Sequence, residues 1–217
     1  MRRQLLFSCL FLSIPFLAGS KCAFFFSTGD SDPRPKDPND TAVETMQGHL
    51  VGKPIRGIAY KSGSLEGLTG ENGEFSYEVG TTVSFHIGDI PLGGDVEGRA
   101  LLTPIDLVDG GSERHPAVIN IARLLQSLDA TPGDTVITIP ESVRQAAVTD
   151  NSSLFWAVQT LNFSDEQDFV NAATTLVAVL TQDYPFNTML VDADTARETM
   201  LDAIASWKML EKEAATE

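Results

Sequence analysis

Three histidines, His49, His86 and His115, are the chain's only imidazoles, the groups that most readily move protons or bind metals near neutral pH. None has a second histidine one helical turn away, and a metal site needs several converging ligands. His86-Ile87-Gly88-Asp89 brings an imidazole near a carboxylate, but alternation with Phe85 and Ile87 sets His86 on the outer face of a strand. Oxygen ligands are better supplied. Asp129, Thr131 and Asp134 crowd a loop with Gly133 and are the residues a calcium ion would take, while Asp106 and Asp109 stand in another. An EF-type loop also needs oxygens at alternate positions and a distant bidentate Glu. Only the start of that set is present, and Asp is common in plain turns. No G-x-S-x-G, H-E-x-x-H or Walker loop occurs, and no G-x-G-x-x-G follows a strand. Gly93-Gly94-Asp95 and Gly110-Gly111-Ser112 read as turns rather than phosphate cradles, because acids surround them.

The rest of the chemistry is set by charge and compartment. The 217 residues carry a formal charge of -15, with 42% hydrophobic and 21% charged residues. That composition builds a packed core, and the charge repels phosphate backbones and anionic headgroups, which argues against a nucleic-acid partner. Residues 1–20 read as an export signal. Arg2 and Arg3 precede an apolar run from Leu5 to Leu17, and Ala18-Gly19-Ser20 offers small residues for cleavage before Lys21. Cys22 is the alternative, as a lipidation site. Its spacing after Leu17-Ala18-Gly19 departs from the lipoprotein pattern by two residues. A retained apolar anchor extended by Phe24, Phe25 and Phe26 is a third course, and only through an N-terminal anchor, lipid or helical, would the chain meet a membrane. All three export the domain to the periplasm, the outer membrane or the exterior. Cys9 and Cys22 are the only cysteines, so a mature chain has no internal disulfide framework.

The elements that must position any site follow from periodicity. Residues 21–46 read as a tether, with Pro33, Pro35 and Pro38 among alternating charges. A single domain spans 47–211, β-rich over 47–103 and helical over 114–211, with a charged tail at 212–217. Candidate strands are 47–51, 55–60, 64–69, 73–79, 82–87 and 99–103. Phe75, Tyr77 and Val79 alternate with polar residues, as do Val83, Phe85 and Ile87. The central element is a helix over 116–128. Val118, Ile121, Ala122 and Leu125 recur at helical spacing, and only Asn120, Arg123 and Ser127 make a polar stripe. Asn120 and Arg123 are structural candidates, with Arg123 expected to pair with Asp106 or Asp89. A short strand over 136–139 and a helix over 141–149 follow. A capping box at Ser164–Gln167 opens the next helix, and the last begins near Ala193. Leu154, Phe155 and Trp156 form either a contact patch or a core anchor.

Read in order, three fragments resemble a known group. They are Gly67-Leu68-Thr69 through Gly73-Glu74-Phe75-Ser76-Tyr77 to the His86-Ile87-Gly88-Asp89-Ile90-Pro91 stretch, then Thr103-Pro104-Ile105-Asp106-Leu107, then Asn120 through Asp129. Over about residues 47–149 the chain resembles a domain of exported proteins and lipoproteins of proteobacteria. Its β part is similar to the carboxypeptidase-regulatory-like, transthyretin-like group. The resemblance implies compartment and architecture, attachment to adhesin-like or other surface proteins, and no catalytic residue.

The expectation is an α+β fold, a small antiparallel sheet or partial sandwich packed on a buried central helix with further C-terminal helices. The leading function is a non-catalytic cell-envelope or extracellular module for adhesion, assembly or scaffolding, with an envelope or extracellular protein as partner. A periplasmic small-ligand binding protein with an apolar cavity between sheet and helices is the alternative. A hydrolase comes third, since no nucleophile and base can be named. An exposed apolar patch marks the first, an enclosed cavity the second, and titratable groups with shifted pKa gathered in a cleft the third.

Overall fold

The computed structural model describes residues 43–149 and 154–214. The tether, Cys22 and the apolar run before them lie outside the described residues. Residues 42–217 form one compact unit.

Among the described residues three small sheets make up the β half. The first has the order β5-β1-β9, built from β1 (Thr45–Leu50), β5 (Glu74–Glu78) and β9 (Leu101–Leu102). The antiparallel β1–β5 register runs from Thr45 opposite Glu78 to His49 opposite Glu74. The second sheet pairs β2 (Ile55–Arg56) with β10 (Ile137–Thr138). The third has the order β4-β3-β6-β7, from β3 (Ala59–Ser62), β4 (Leu65–Leu68), β6 (Thr82–Ile87) and β7 (Ile90–Pro91), with β8 (Val96–Glu97) also on β6. Alternation holds as expected, since Val83, Phe85 and Ile87 of β6 are buried between more exposed neighbours. Two pairings, β1–β9 and β2–β10, are parallel rather than antiparallel. The strand expected over 55–60 is broken at Gly57, whose φ of 83° hands the chain from the second sheet to the third.

Helix α1 (Pro116–Ser127) holds the β and helical halves together. Pro116 fills its first turn, where the missing N–H costs nothing. The His115 Nδ1 accepts from the Ala117 N–H at 3.2 Å and caps the end. Apolar residues wrap the helix because two partners use them. Ile121, Leu124 and Leu125 join Phe75, Phe85, Ile87 and Leu102 from the strands and Phe169, Leu176 and Leu180 from the later helices. Val118 and Ala122 instead meet Ala196, Met200 and Ile204. The apolar period expected to form one face therefore serves two. This is the α+β architecture the sequence implies, small and mainly antiparallel sheets on a buried helix.

After α1 come α2 (Glu141–Ala146), α3 (Phe155–Thr160), α4 (Glu166–Leu180) and α5 (Ala193–Ala214). Asp165 rather than Ser164 caps α4, its Oδ1 accepting from the Asp168 N–H at 2.9 Å, and Gln167 donates to Asn171 Oδ1 instead of reaching back, so the capping box read at Ser164–Gln167 does not form. The Asn162 carboxamide takes the Ser164 N–H, which uses that residue in the preceding turn. Among the described residues no helix is long and apolar enough to cross a membrane.

Candidate functional site

Arg123 and Asn120, the polar stripe of α1, face the helical half and not the sheet. Arg123 Nη1 donates to Glu166 Oε1 and to Asn120 Oδ1, both at 2.9 Å, and Nε donates to the Val191 carbonyl at 2.9 Å. The guanidinium carbon stands 5.1 Å from the Phe169 ring centre, within cation–π range. Asn120 donates onward to the Phe163 carbonyl, and Ser127 links the Arg123 carbonyl to the Val191 N–H. The expected pairing of Arg123 with Asp106 or Asp89 does not occur, because both carboxylates are used elsewhere. Asp106 accepts from the Thr103 N–H and hydroxyl at 2.8 and 2.7 Å and pairs with Arg99. Asp89 accepts from the Thr149 N–H and hydroxyl, both at 2.7 Å. The seam fixes how α1, α4 and the segment before α5 meet, and its polar atoms are turned onto one another rather than toward an open cleft.

The loop of the calcium candidates is laced by its own hydrogen bonds. Asp129 Oδ1 accepts from the N–H groups of Thr131 and Thr138 at 3.0 and 2.9 Å, and Asp129 is buried. The Asp134 N–H bonds the Thr131 carbonyl, and Lys53 Nζ donates to the Asp134 carbonyl at 2.8 Å. Thr131 and Asp134 are exposed. Among the described residues no three His, Cys, Asp or Glu side chains are grouped to hold a metal ion.

His86 stands on the outer side of β6, its Nε2 3.2 Å from Ser84 Oγ on the same strand face. His86 borders an open hollow of about 550 Å³ that Tyr60, Lys61, Glu66 and Leu68 share. Among the described residues the imidazole's hydrogen bond is the one with Ser84, whereas a base for nucleophilic attack is oriented by an acid. His49 lies elsewhere, its ring centre 5.0 Å from that of Trp207.

Shifted carboxylates are scattered, and each shift has a local cause. Glu78 is held below its ordinary value by the Ser64 hydroxyl and N–H that it accepts from. Thr149 lowers Asp89 in the same way. For Glu74, burial raises the pKa, and hydrogen bonds from Asn72 outweigh it. Burial first, and then the charge of Asp129, pushes Tyr184 up to about 12, so its hydroxyl keeps the proton that it donates to the Leu128 carbonyl.

An apolar open surface lies along α5. A groove of about 590 Å³ runs between Thr199, Asp202, Ala203, Ser206, Trp207 and Leu210 on the helix and a facing wall of Lys53, Pro54, Asn72, Thr135 and Val136. Leu210 and Met209 are 62% and 64% exposed. A second apolar patch projects from α3, where Trp156 is 74% exposed and packs edge-on against Phe155, with Leu154 buried beneath. The sequence reading named this α3 cluster. The groove went unread, and its signal is the continuation of apolar spacing through Ala203, Trp207, Leu210 and Ala214 past the last core contact at Ile204.

No family model matches the chain, and no solved structure matches it. Two curated proteins are similar to it. The "Putative lipoprotein AcfD homolog" of Escherichia coli strain K12 is 35% identical over 108 residues, 48% of this chain and 7% of that protein. The "Putative lipoprotein YghJ" of Escherichia coli O78:H11 strain H10407 is 34% identical over 108 residues, with the same coverage. The chain thus matches a small part of much longer proteins, both of which bear lipoprotein names.

Proposed function

We propose that the chain is a non-catalytic exported module of the cell envelope or cell exterior, acting in adhesion, assembly or scaffolding by surface contact. The observation that carries this is the exposure of Trp156, Met209 and Leu210 on the helical side. Large apolar side chains in contiguous exposed patches mark contact surfaces. The seam between sheet and helices is filled by Phe75, Phe85, Ile121 and Phe169, which leaves the space a small ligand would need to side chains. The lipoprotein names of the relatives support an envelope location, with residues 21–46 as tether and Cys22 as the acylated end or Lys21 as the free one.

The test adds the labelled full chain to envelope preparations from cells that do not make it. Saturable retention is expected, abolished by prior proteolysis of the envelopes and weakened by Trp156→Ser or Leu210→Asp. Equal retention of all variants would overturn the reading. So would turnover of ester, peptide or glycoside substrates that Ser84→Ala or His86→Ala removes.

A further inference from the structure

We infer that Asn72 is a site of spontaneous deamidation that the folded turn holds back, so that aspartate or isoaspartate at this position marks chains in which the turn ahead of β5 has opened. Asparagine is among the thermolabile residues of a protein chain. Alone among the asparagines here, Asn72 is followed by glycine. Glycine has no Cβ to screen its main-chain nitrogen, and that nitrogen is the nucleophile of the reaction. It gives up its proton to hydroxide and bonds to the carboxamide carbon of Asn72. The carboxamide nitrogen takes up a proton and leaves as ammonia, and a five-membered succinimide remains. Water then adds to one of the two ring carbonyls and breaks the bond of that carbonyl to the ring nitrogen. Opening at the side-chain carbonyl leaves aspartate. Opening at the main-chain carbonyl leaves isoaspartate, in which the chain runs on through the side-chain carbons. The sum is carboxamide and water to carboxylate and ammonium, and it needs no oxidant or cofactor.

The turn engages the groups that this chemistry uses. The Gly73 N–H, the nucleophile, donates to the Gly70 carbonyl at 3.1 Å. Asn72 Nδ2, the leaving nitrogen, donates to Glu74 Oε1 at 2.8 Å, and the Asn72 N–H donates to Glu74 Oε2 at 2.8 Å. Ring closure swings the carboxamide carbon onto the Gly73 nitrogen and must break the hydrogen bonds of both reacting groups. The Glu74 carboxylate also repels the negative charge that builds on the attacked oxygen. Gly73 is buried, and its carbonyl accepts from the Leu50 N–H at 2.9 Å. Reaction therefore waits on local opening of the turn, and the free energy of that opening sets the protection. Once it has occurred the turn cannot close as before. A carboxylate stands where Nδ2 donated and meets Glu74 as a like charge. Isoaspartate also lengthens the main chain by a methylene beside Gly73, where the Leu50 carbonyl leaves no space for even a Cβ.

The full chain is incubated at mildly alkaline pH and body temperature, with and without guanidinium chloride, and its peptides are followed by mass spectrometry. In denaturant Asn72 is expected to convert ahead of every other asparagine. In the folded chain its conversion should be at least about tenfold slower than in denaturant. Glu74→Ala frees the carboxamide and should speed conversion in the folded chain several-fold. Glu78→Ala removes the bonds to Ser64 at the far end of β5 and should leave Asn72 close to the parent's rate. Thermal melts by circular dichroism establish that the two variants are folded, and the pair separates release of the carboxamide from general loosening. The parent with and without denaturant carries the test even where a variant fails to fold. Conversion of Asn72 in denaturant no faster than that of the other asparagines overturns the inference. So does a folded rate equal to the denatured one, which would mean that the turn protects nothing. Equal acceleration by Glu74→Ala and Glu78→Ala, both folded, overturns it as well, since loosening of the domain would then account for the rate.

Discussion

At the scale of single residues the Arg123 seam shows how unequal two partners can be. The Arg123 side chain is 8% exposed and that of Glu166 is 63% exposed. Replacing Arg123 by Met keeps the packing on Phe169 but strands the Val191 carbonyl and Asn120 Oδ1, which it satisfies. Unsatisfied buried acceptors cost about 1–3 kcal/mol each. With two such acceptors, one of them on half-buried Val191, a loss of about 2–4 kcal/mol is expected for Arg123→Met in urea unfolding. Glu166→Gln should cost under about 1 kcal/mol, because a half-exposed ion pair contributes little. Equal losses would mean that the ion pair, rather than the buried hydrogen bonds, holds the seam. The residue types of this seam were legible beforehand, since Asn120, Arg123 and Ser127 interrupt an otherwise apolar helix. Their partners were not, because a guanidinium fits any acceptor within reach and the sequence does not say which strand or helix arrives there.

Among the elements, the β hairpins depend on a few backbone positions. Gly73 adopts a φ of 77° in the turn before β5, and its carbonyl accepts from the Leu50 N–H at 2.9 Å. A Cβ there would be driven into the Leu50 carbonyl. Gly73→Ala is thus expected to destabilise the domain by about 1–3 kcal/mol, read as a lowered melting temperature, while Gly80→Ala should cost less because open space surrounds that position. Equal effects would show that backbone conformation matters and close approach does not. Turn chemistry of this kind is local, and the Gly70–Gly73 and Val79–Thr81 turns were legible for that reason. The break at Gly57 was not. A glycine between two apolar stretches reads equally well as a strand interior, and only the arrival of β10 beside Ile55 divides the two strands.

On the scale of the whole molecule the acidic charge meets a set of carboxylates that the fold holds ionised. Glu74 and Glu78 lie below their ordinary value of 4.5, and Asp89 below 3.8. A carboxylate lowered by folding contributes its stability in full above its unfolded pKa and loses it as pH falls through the folded one. Stability should therefore be level down to about pH 4.5 and decline below that. Urea midpoints at successive pH values test this, and Glu78→Gln should be less stable at pH 6 yet show a shallower acid decline. A decline as steep as that of the parent would show that Glu78 has no part in it.

The sequence by itself determined the helices and strands whose period repeats over neighbouring residues, the central place of residues 116–128, and an α+β fold. Those signals are local, since burial of a helix or strand face is written every few positions. Only the tertiary structure decided that α1 divides its apolar surface between two partners, that β1–β9 and β2–β10 run parallel, that Arg123 turns to Glu166, and that α5 leaves a groove open. Each depends on which surfaces meet across long separations in the chain, and packing of the whole core settles that where no local pattern can.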